Sequence, residues 1–510
     1  MTPPRRSIAS LAASVAVVSS FLFGYSICVL DSCGELVSVV FEWCGNDWQS
    51  DCFWSRALQG LINAALYLGA AAGSLMVGMP QISSRGSRFQ LIVADSLFIL
   101  GAATGASAQG FLSLFFSRLI SGAGLGISAI AAPLYLAEIS PREHRGFNSA
   151  MHGVFIAVGI LAAIVLGIPQ SPPPSRPGAV MKELDLWYWR VLLGIPLIIA
   201  LFQAVLFLRK IVVDPPSFLV LQGRMPEARS LLYRSYGAEE PQDHQCNGGS
   251  GRIEELEGQL AELQLAATSF KSTPRIYIHQ AISDPFLRHG LFVGFGLAAF
   301  QQLCGINSLM SYSNSLFSEA GIPPQSLTIA STIMAATNVC FSFLSSQLVD
   351  HWGRRSLLLA GPFIQVLAMA GMHFVVAHLP AQYVGIGTVG CFSLFVVSFS
   401  LGLGAVTWLY LAEIYPMEIR GAALSACGVI NWLSCFAVVF GGRFFSLHTA
   451  CQVFGIITTL GLFGVLLWVI ETKGCSMDDS PLTPLSGRST SPLLTPLSGQ
   501  DIDEDDQLSD

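Results

Sequence analysis

The chain has 510 residues, of which 52% are hydrophobic and only 12% are charged, and its mean hydropathy is +0.58. Charged residues make up about a quarter of a typical soluble domain, so this composition excludes an ordinary soluble protein and indicates a membrane protein. The formal net charge of −7 owes much to the acidic segment 501–506, and the basic residues lie in short separated loops, which argues against nucleic-acid binding.

Twelve apolar stretches are long enough to cross about 30 Å of hydrocarbon as helices. We predict membrane-spanning helices at 8–30, 57–79, 89–110, 111–137, 147–169, 188–211, 287–317, 325–349, 356–379, 383–412, 421–442 and 449–471. The first stretch follows two arginines, as a signal peptide does, but it is too long for one and no convincing cleavage site follows it. We therefore interpret it as the first membrane helix.

A polar segment separates the sixth and seventh stretches. It contains RIEELEGQLAELQ at 252–264, a pattern that predicts an amphipathic surface helix. The tail is rich in Pro, Ser and Thr before its acidic end, which is typical of disorder. The predicted organisation is a six-helix half at 1–211, a cytoplasmic linker at 212–286, a second six-helix half at 287–474 and a disordered cytoplasmic tail at 475–510.

The distribution of basic residues predicts the orientation in the lipid bilayer. With both termini in the cytoplasm, only six of the 26 Lys and Arg residues fall outside, namely Arg56, Arg118, Arg176, Lys182, Arg190 and Arg443. Cytoplasmic loops carry an excess of Lys and Arg, so we expect both termini to be cytoplasmic.

One motif occurs twice. LYLAEISPREHRG at 134–146 and LYLAEIYPMEIRG at 409–421 are identical at ten of thirteen positions. Such a match indicates that a six-helix unit was duplicated. Repeated halves are the architecture of alternating-access transporters, which bind their substrates near the middle of the membrane.

Six motifs resemble those of sugar porters of the major facilitator superfamily, the group that contains facilitative glucose transporters. They are RLISGAGLG at 118–126, PLYLAEISPREHRG at 133–146, QQLCGIN at 301–307, DHWGRR at 350–355, YLAEIYPMEIRG at 410–421 and ETKG at 471–474. The loop VVFEWCGNDWQSDC at 39–52 most resembles that of apicomplexan hexose transporters. The resemblance covers 8–474 and implies an all-α fold of two pseudo-symmetric six-helix bundles. It also implies a monomeric hexose transporter of the plasma membrane, with D-glucose as the expected substrate.

The stretch FQQLCGINSLMSYSNSLF at 300–317 has many uncharged hydrogen-bonding groups in an apolar setting. Gly305 offers a position where the helix can bend and bring amides from different faces together. The resemblance assigns sugar hydroxyls to a set of substrate-binding residues: Gln301, Gln302, Asn307, Asn338, Trp408, Asn431 and Trp432. The other interpretation of membrane amides is hydrogen bonding between helices, which contributes about 0.6–2 kcal/mol per contact.

Two further groups are predicted at the ends of the bundle. The resemblance implies an extracellular gate formed by Ser311, Tyr312 and Asn314, although Tyr312 also fits an anchor at the membrane interface. It implies a cytoplasmic salt-bridge network that holds the outward-open state, formed by Glu138, Arg145, Asp350, Arg354, Arg355, Glu413 and Arg420. A single exposed ion pair contributes only about 0–1 kcal/mol, so a network is needed.

Three positions bear on proton coupling. Proton-coupled members carry an aspartate after the Gly-Tyr of the first helix, where this chain has Ser26, so we expect facilitated diffusion. Asp95 in the third stretch and His152 in the fifth remain ionisable residues without an assigned role. The alternatives are a proton-coupled sugar or polyol symporter and a sugar receptor built on a transporter fold.

Two departures from the family pattern concern the site and the inner gate. Gly153 stands where the family has a sugar-binding glutamine, which removes a hydroxyl partner. The tenth stretch reads GLGAVTW at 402–408 and lacks the usual prolines, so we expect a stiffer helix there.

The cysteines predict one disulfide and no metal site. Cys44 and Cys52 lie in the first predicted extracellular loop, where oxidising conditions favour a disulfide between them. No Cys/His cluster has zinc spacing and no nucleophile–base arrangement stands out, so we expect neither a cofactor nor an enzymatic activity.

Overall fold

The computed structural model describes residues 8–45, 52–140, 145–170, 183–209, 212–235, 250–272 and 278–473. These residues form helices joined by short loops, and no strand occurs among them. The predicted tail at 475–510 lies outside the described residues.

Six long helices and one short helix form the N-terminal half. They are α1 (Ile8–Val40), α2 (Phe53–Gly78), the short α3 (Pro80–Ser83), α4 (Gly86–Ala106), α5 (Phe111–Ile139), α6 (Arg145–Leu166) and α7 (Glu183–Leu208). Small residues allow α2 and α5 to pack backbone to backbone: a Cβ atom added at Gly122 would lie 2.0 Å from the carbonyl oxygen of Leu66. Close approach at small residues is the usual way in which membrane helices associate.

Four helices of the linker follow: α8 (Pro216–Leu221), α9 (Met225–Ser235), α10 (Ser250–Ser272) and α11 (Ile278–Ser283). The helix α10 spans the amphipathic segment predicted at 252–264. Its Leu256 and Leu260 are buried in one apolar cluster with Leu231, Leu232 and the start of α1. The α8–α10 part of the linker therefore packs against the N-terminal half, whereas α11 contacts α12 and α19 of the C-terminal half.

The C-terminal half contains nine helical segments that make six crossings. They are α12 (Pro285–Leu303), α13 (Ile306–Ser311), α14 (Ser313–Glu319), α15 (Pro324–Trp352), α16 (Arg354–His378), α17 (Ala381–Phe399), α18 (Ala405–Ile414), α19 (Met417–Gly442) and α20 (Leu447–Trp468). The seventh crossing consists of α12, α13 and α14, and the tenth consists of α17, a π-helical turn at Ser400–Gly404, and α18.

Twelve helical spans in the described residues are long and apolar enough to cross a membrane, in agreement with the sequence. The largest difference in bounds is at the first, because α1 continues to Val40, ten residues beyond its predicted end at 30. The added residues include Asp31 and Glu35, whose carboxylates are satisfied by another helix as described below. Apolar residues resume after them, and Leu36, Val37 and Val39 are buried.

The two halves meet where α2 packs on α19 and α6 packs on α15, and α1 also contacts α13 and α14. Because successive crossings alternate in direction, the bundle has two distinguishable ends. We call the end that carries Cys44 and Cys52 the disulfide end, since these residues are joined there by the predicted disulfide. The opposite end, which carries α8–α11, is the linker end.

Candidate functional site

The seventh crossing is broken at Gly305, as the sequence predicts. Gly305 has φ +94°, a left-handed conformation that favours glycine, and it separates α12 from α13. A Cβ atom at this position would also lie 2.5 Å from the ring of Phe454. Two independent constraints therefore require glycine at the break, and side chains of α12 and α13 turn toward one another across it.

Four predicted sugar-binding amides form one connected network around this break. Asn307 Nδ2 donates to Gln302 Oε1 at 2.6 Å, and Gln302 Nε2 donates to Asn431 Oδ1 at 3.0 Å. Asn431 Nδ2 donates to Gln301 Oε1 at 2.9 Å, and Gln301 Nε2 donates to the Leu403 carbonyl at 2.9 Å. The network thus connects the seventh, tenth and eleventh crossings.

These amides face the interior and not the lipid, since Gln301, Gln302 and Asn431 are 4%, 6% and 1% exposed. In this conformation they bond to one another, which is the interhelical interpretation of membrane amides. Each amide offers two donors and two acceptor lone pairs, so the bonds present leave capacity for further partners. The network can therefore hold helices together and still accept hydroxyl groups.

Three other predicted sugar-binding residues lie apart from that network. Asn338 Oδ1 accepts from Ser400 at 2.8 Å and so joins α15 to the π-helical turn. Trp432 Nε1 donates a hydrogen bond to Ser74 Oγ of α2 at 2.9 Å, and this bond connects the two halves. Trp408 is 37% exposed, and no ring contact or hydrogen bond to the amides is described for it.

A second polar cluster closes the disulfide end between α1 and α14. Ser313 Oγ donates to Asp31 Oδ2 at 2.7 Å, and the backbone N–H of Asn314 donates to Asp31 Oδ1 at 3.3 Å. Asn314 Nδ2 donates to the Asp31 carbonyl at 3.2 Å, and Ser315 Oγ donates to Glu35 Oε1 at 2.7 Å. All four hydrogen bonds join the N-terminal half to the C-terminal half.

The other predicted gate residues lie beside this cluster. Tyr312 interrupts the helix between α13 and α14, and its hydroxyl donates to the Val439 carbonyl at 3.1 Å. The guanidinium of Arg443 lies 5.4 Å from the Tyr312 ring centroid and donates to Gln59 Oε1 at 3.2 Å. Ser311 is buried with its hydroxyl unpaired.

At the linker end, the described bonds of the repeated glutamates stay within one half. Glu413 Oε1 pairs with Arg354 Nη2 at 3.0 Å, and Glu413 Oε2 accepts from Thr472 Oγ1 at 2.5 Å. Its counterpart Glu138 accepts from Ser87 Oγ at 2.7 Å. Both partners of the Arg354–Glu413 pair are largely buried, with side chains 13% and 9% exposed.

The remaining predicted members of the linker-end network are placed as follows. Arg355 Nη2 donates to the Leu466 carbonyl at 3.0 Å, and Arg420 Nε donates to the Tyr415 carbonyl at 3.0 Å. The side chains of Arg145 and Asp350 lie outside the described part of the chain.

A carboxylate that the sequence reading did not assign caps α16. Glu471 accepts the backbone N–H groups of Arg354 at 2.8 Å and of Arg355 at 3.1 Å, which are the first donors of that helix. Burial alone would raise the pKa of Glu471, but backbone N–H groups outweigh it and lower that pKa below its ordinary value of 4.5. The cap thus fixes the start of α16 beside Arg354.

The tenth crossing departs from the expected stiff helix. A π-helical turn at Ser400–Gly404 interrupts it without any proline. At the same turn Gly402 packs on Gly361 of α16, where an added Cβ atom would lie 2.8 Å from the Gly361 Cα. The turn thus supplies an irregularity that was expected to be lost with the proline residues.

Three ionisable groups inside the N-terminal half make no described hydrogen bond to the amide network: Arg118 and Asp95 are buried, and His152 is half-buried. Arg118 Nη2 donates to the Ser26 carbonyl at 2.6 Å, so a cation faces the position at which proton-coupled members carry aspartate. His152 Nδ1 lies 2.7 Å from the Ser20 hydroxyl. Asp95 is fully buried, and its carboxylate oxygens have no hydrogen-bond partner among the described residues.

The sequence reading missed Asp31 and Glu35 because it ended the first helix at residue 30. The available signal was the apolar run that follows these carboxylates, which allows the helix to continue. Their partners are 280 or more residues away in the chain, so local periodicity cannot predict the pairing.

Comparisons with known proteins agree with this architecture. A family model described as "Sugar (and other) transporter" matches residues 12–481. The chain is 30% identical to Hexose transporter 1 of Toxoplasma gondii over 92% of this chain and 81% of that protein. It is 28% identical to Hexose transporter 1 of Plasmodium falciparum (isolate 3D7) over 93% and 92% of the two chains. A solved structure of the major facilitator proton:xylose symporter XylE, bound to 6-bromo-6-deoxy-D-glucose, superimposes with a TM-score of 0.72 at 22% identity, covering 92% of this chain and 97% of that one.

Proposed function

The chain belongs to the sugar transporter family of the major facilitator superfamily, and from this premise we propose that it moves hexoses, D-glucose first among them, by facilitated diffusion. The proposal includes the plasma membrane as its location, cytoplasmic termini and a monomeric functional unit. The excess of basic residues in loops of the linker end supports that orientation and makes the disulfide end extracellular.

The observation that carries the proposal is the amide network around the break at Gly305. Gln301, Gln302, Asn307 and Asn431 are neutral, and together they present both donors and acceptors on several helices. A sugar has the same mixture of donors and acceptors on a neutral ring, so such amides can replace its water shell. An unpaired amide in an apolar environment costs about 4–8 kcal/mol, so these groups must exchange one set of partners for another.

Transport then requires the two halves to move about this network. In the conformation described, hydrogen bonds from α1 to α14 join the halves at the disulfide end. We infer that these bonds break when the transporter opens to the outside, while α14 moves away from α1 as the extracellular gate. At the linker end, the motif residues Glu138, Arg145, Asp350, Arg354, Arg355, Glu413 and Arg420 are proposed to lock the opposite, outward-open state.

Facilitated diffusion is supported by the first helix. Ser26 has a hydroxyl that does not titrate near neutral pH, and its carbonyl is held by Arg118. Asn338 and Trp408 are retained as proposed sugar contacts, although the present conformation does not join them to the amide network. Reaching a bound sugar would require rearrangement of the tenth crossing at its π-helical turn.

One observation favours proton coupling as the second candidate function. Asp31 is a half-buried carboxylate at the surface where the halves separate, so its surroundings would change during the transport cycle. A group with such a change can couple protonation to conformation. The two functions differ in whether sugar accumulates against its own gradient.

Uptake of labelled glucose and fructose into proteoliposomes tests the proposal, with and without an imposed proton gradient. Facilitated diffusion predicts equilibration without accumulation and no dependence on the gradient. Accumulation that collapses with the gradient would establish symport, and tight glucose binding without equilibration would establish a receptor.

Gln302→Ala tests the site, because Gln302 is the centre of the amide network. We expect hexose uptake at low concentration to fall at least about tenfold while the amount of protein in the membrane is unchanged, since two hydrogen-bonding groups are removed. Gln222→Ala is the matched control, because Gln222 is an exposed linker residue whose amide donates to the Ser84 carbonyl. Uptake unchanged by Gln302→Ala would remove the proposed site.

A further inference from the structure

Two polar side chains of α2 are buried at the interface between the halves with atoms that lack partners. Asn63 and Tyr67 are 5% and 1% exposed. The Asn63 Oδ1 atom and the Tyr67 hydroxyl make no hydrogen bond of good geometry with the described residues. They lie four residues apart on one helix, so both face the same side of α2.

That side of α2 faces the amide network. The Tyr67 ring stacks on Trp432 with centroids 6.3 Å apart and an interplanar angle of 20°. The Tyr67 hydroxyl lies close enough to Ser311 and Cys435 for weak hydrogen bonds, and Cys435 accepts from Asn307 of the network at 3.3 Å. Tyr67 is therefore separated from a predicted sugar-binding amide by a single side chain.

The position of Asn63 is similar but nearer to the disulfide end. Its amide lies beside the hydroxyl of Tyr312, whose own proton is donated to Val439. The Ser311 hydroxyl, between these two levels, is also 2% exposed and unpaired. Three polar atoms from α2 and α13 thus line the junction between the halves without a hydrogen bond of good geometry.

Such groups are costly unless a ligand uses them. A buried polar group without a partner destabilises the fold by about 1–3 kcal/mol, and phenylalanine at position 67 would retain the contact with Trp432 without that cost. Polar groups that are kept on this side of α2 therefore indicate a ligand that forms hydrogen bonds with them.

We propose that Asn63 and Tyr67 of α2 are the groups through which the N-terminal half binds sugar hydroxyls, in a subsite that Ser311 of α13 completes from the C-terminal half. The subsite rests on the proposed hexose transport and adds to it the binding partners on the N-terminal side. Asn63 Oδ1 accepts a hydroxyl proton, whereas the Tyr67 hydroxyl both donates and accepts. The substrate class is a neutral polyhydroxylated ring with hydroxyls on the edge that faces away from Gln302.

Tyr67→Phe tests the subsite by removing one oxygen atom. We expect KM for zero-trans glucose uptake to rise about 3- to 10-fold, the range that a single neutral hydrogen bond of about 0.7–1.4 kcal/mol gives. Thermal stability of the purified protein without sugar should be unchanged or higher, because an unpaired group is lost. The stabilisation that added glucose confers should shrink. Loss of sugar-free stability with an unchanged KM would show a purely structural role and overturn the proposal.

A series of singly deoxygenated glucoses identifies the contact. In the wild type, the analogue that lacks the hydroxyl bound by Tyr67 should show a raised KM, and in Tyr67→Phe that analogue and glucose should become equal. Asn63→Leu should abolish the penalty for a different analogue. If every analogue keeps its wild-type penalty in both variants, the subsite is wrong.

Tyr188→Phe is the control, since the Tyr188 hydroxyl bonds the Leu166 carbonyl away from the amide network. It should leave KM and the analogue pattern unchanged. Wild-type protein that neither binds nor carries hexoses would refute the proposed function itself. Normal wild-type uptake with no change in either variant would refute only the subsite.

Discussion

The two ends of the bundle satisfy their carboxylates in different ways. At the disulfide end, Asp31 and Glu35 accept hydrogen bonds from neutral groups of the opposite half. At the linker end, Glu413 pairs with an arginine of its own half and Glu138 accepts from a serine of its own half. Bonds across the halves resist separation, whereas bonds inside a half stabilise that half wherever it moves. These carboxylate contacts therefore join the halves at the disulfide end of the described structure.

The chemistry of the partners matches this division. Hydroxyl and amide donors are weaker partners for a carboxylate than a guanidinium, and they can be replaced by water when the halves part. A buried Arg–carboxylate pair is costly to break, since each partner is then left as an uncompensated charge. We therefore expect the disulfide end to open during the transport cycle and the Arg354–Glu413 pair to persist.

The largest effect is expected from breaking the pair inside the C-terminal half. Arg354→Ala leaves Glu413 buried without its cation and should lower the free energy of unfolding by about 3–5 kcal/mol, measured by chemical unfolding in detergent. Arg224→Ala removes a solvated arginine of the linker and should leave stability close to that of the wild type. Unchanged stability of Arg354→Ala, combined with a large shift in which end is accessible, would contradict a stabilising role of the pair inside the C-terminal half.

Asp31→Ala tests the same comparison at the disulfide end. It removes the acceptor of Ser313 and of the Asn314 N–H, so the closed disulfide end should lose about 1.5–3 kcal/mol, a roughly 10- to 150-fold shift toward opening. The buried Cys28 thiol, which lies 3.8 Å from the Met310 carbonyl across the halves, reports opening by its rate of modification with an impermeant maleimide. The measurement uses a background from which the other free cysteines have been removed.

The control for Asp31→Ala is its neighbour on α1. Ser32 donates to the Ala163 carbonyl within the N-terminal half, so Ser32→Ala should not change the rate of Cys28 modification. Equal rates in Asp31→Ala and wild type would show that the α1–α14 bonds do not determine closure.

Glu471→Gln tests the linker end through the pH dependence of protein stability. The folded-state pKa of Glu471 lies below its ordinary value of 4.5, so its contribution to stability is present above that value and is lost as pH falls through the lower, folded-state pKa. At neutral pH we expect the variant to lose about 0.5–2 kcal/mol, the usual range for a helix cap, and the two proteins should converge in acid. Glu255→Gln, at an exposed linker position, should show no such pH-dependent difference. A difference that stays constant down to low pH would contradict the capping role of the charge.

The smallest effect is expected at the rim of the disulfide end. Ser315→Ala removes one hydrogen bond to Glu35 and should shift the closed state by about 0.5–1.5 kcal/mol, again measured by Cys28 modification. Ser318→Ala on the exposed face of α14 is the matched control and should behave as the wild type. A larger effect at Ser318 than at Ser315 would contradict the assigned contact.

Much of the fold could be predicted from the sequence, because local hydropathy identifies membrane helices. The twelve crossings, the break at Gly305 and the Cys44–Cys52 disulfide follow from length, glycine and loop chemistry. The extension of α1 did not, because a carboxylate inside a membrane helix is tolerated only through partners that come from tertiary structure. The π-helical turn was likewise hidden, since proline was taken as the only cause of irregularity in the tenth crossing.

The candidate binding site could be predicted from the sequence only in part. Residue types identified the amides, and the structure brings Gln301, Gln302, Asn307 and Asn431 together. Which amide bonds which, and where Asn338 and Trp408 lie, depends on helix rotation and packing, which residue identity does not determine. Asn314 illustrates the limit: it was assigned to the gate, but its partner Asp31 was assigned to no role.

The break in regular helical hydrogen bonding at Gly305 has a mechanical consequence. Gln302 belongs to a helix anchored in the bundle, whereas Asn307 belongs to the segment that leads on to α14. Under the proposed transport function, a hexose bound by both amides would link the two segments, so that sugar binding and movement of α14 would be coupled. An analogue that binds only one of the two amides would occupy the site without moving α14, and would act as an inhibitor and not as a transported substrate.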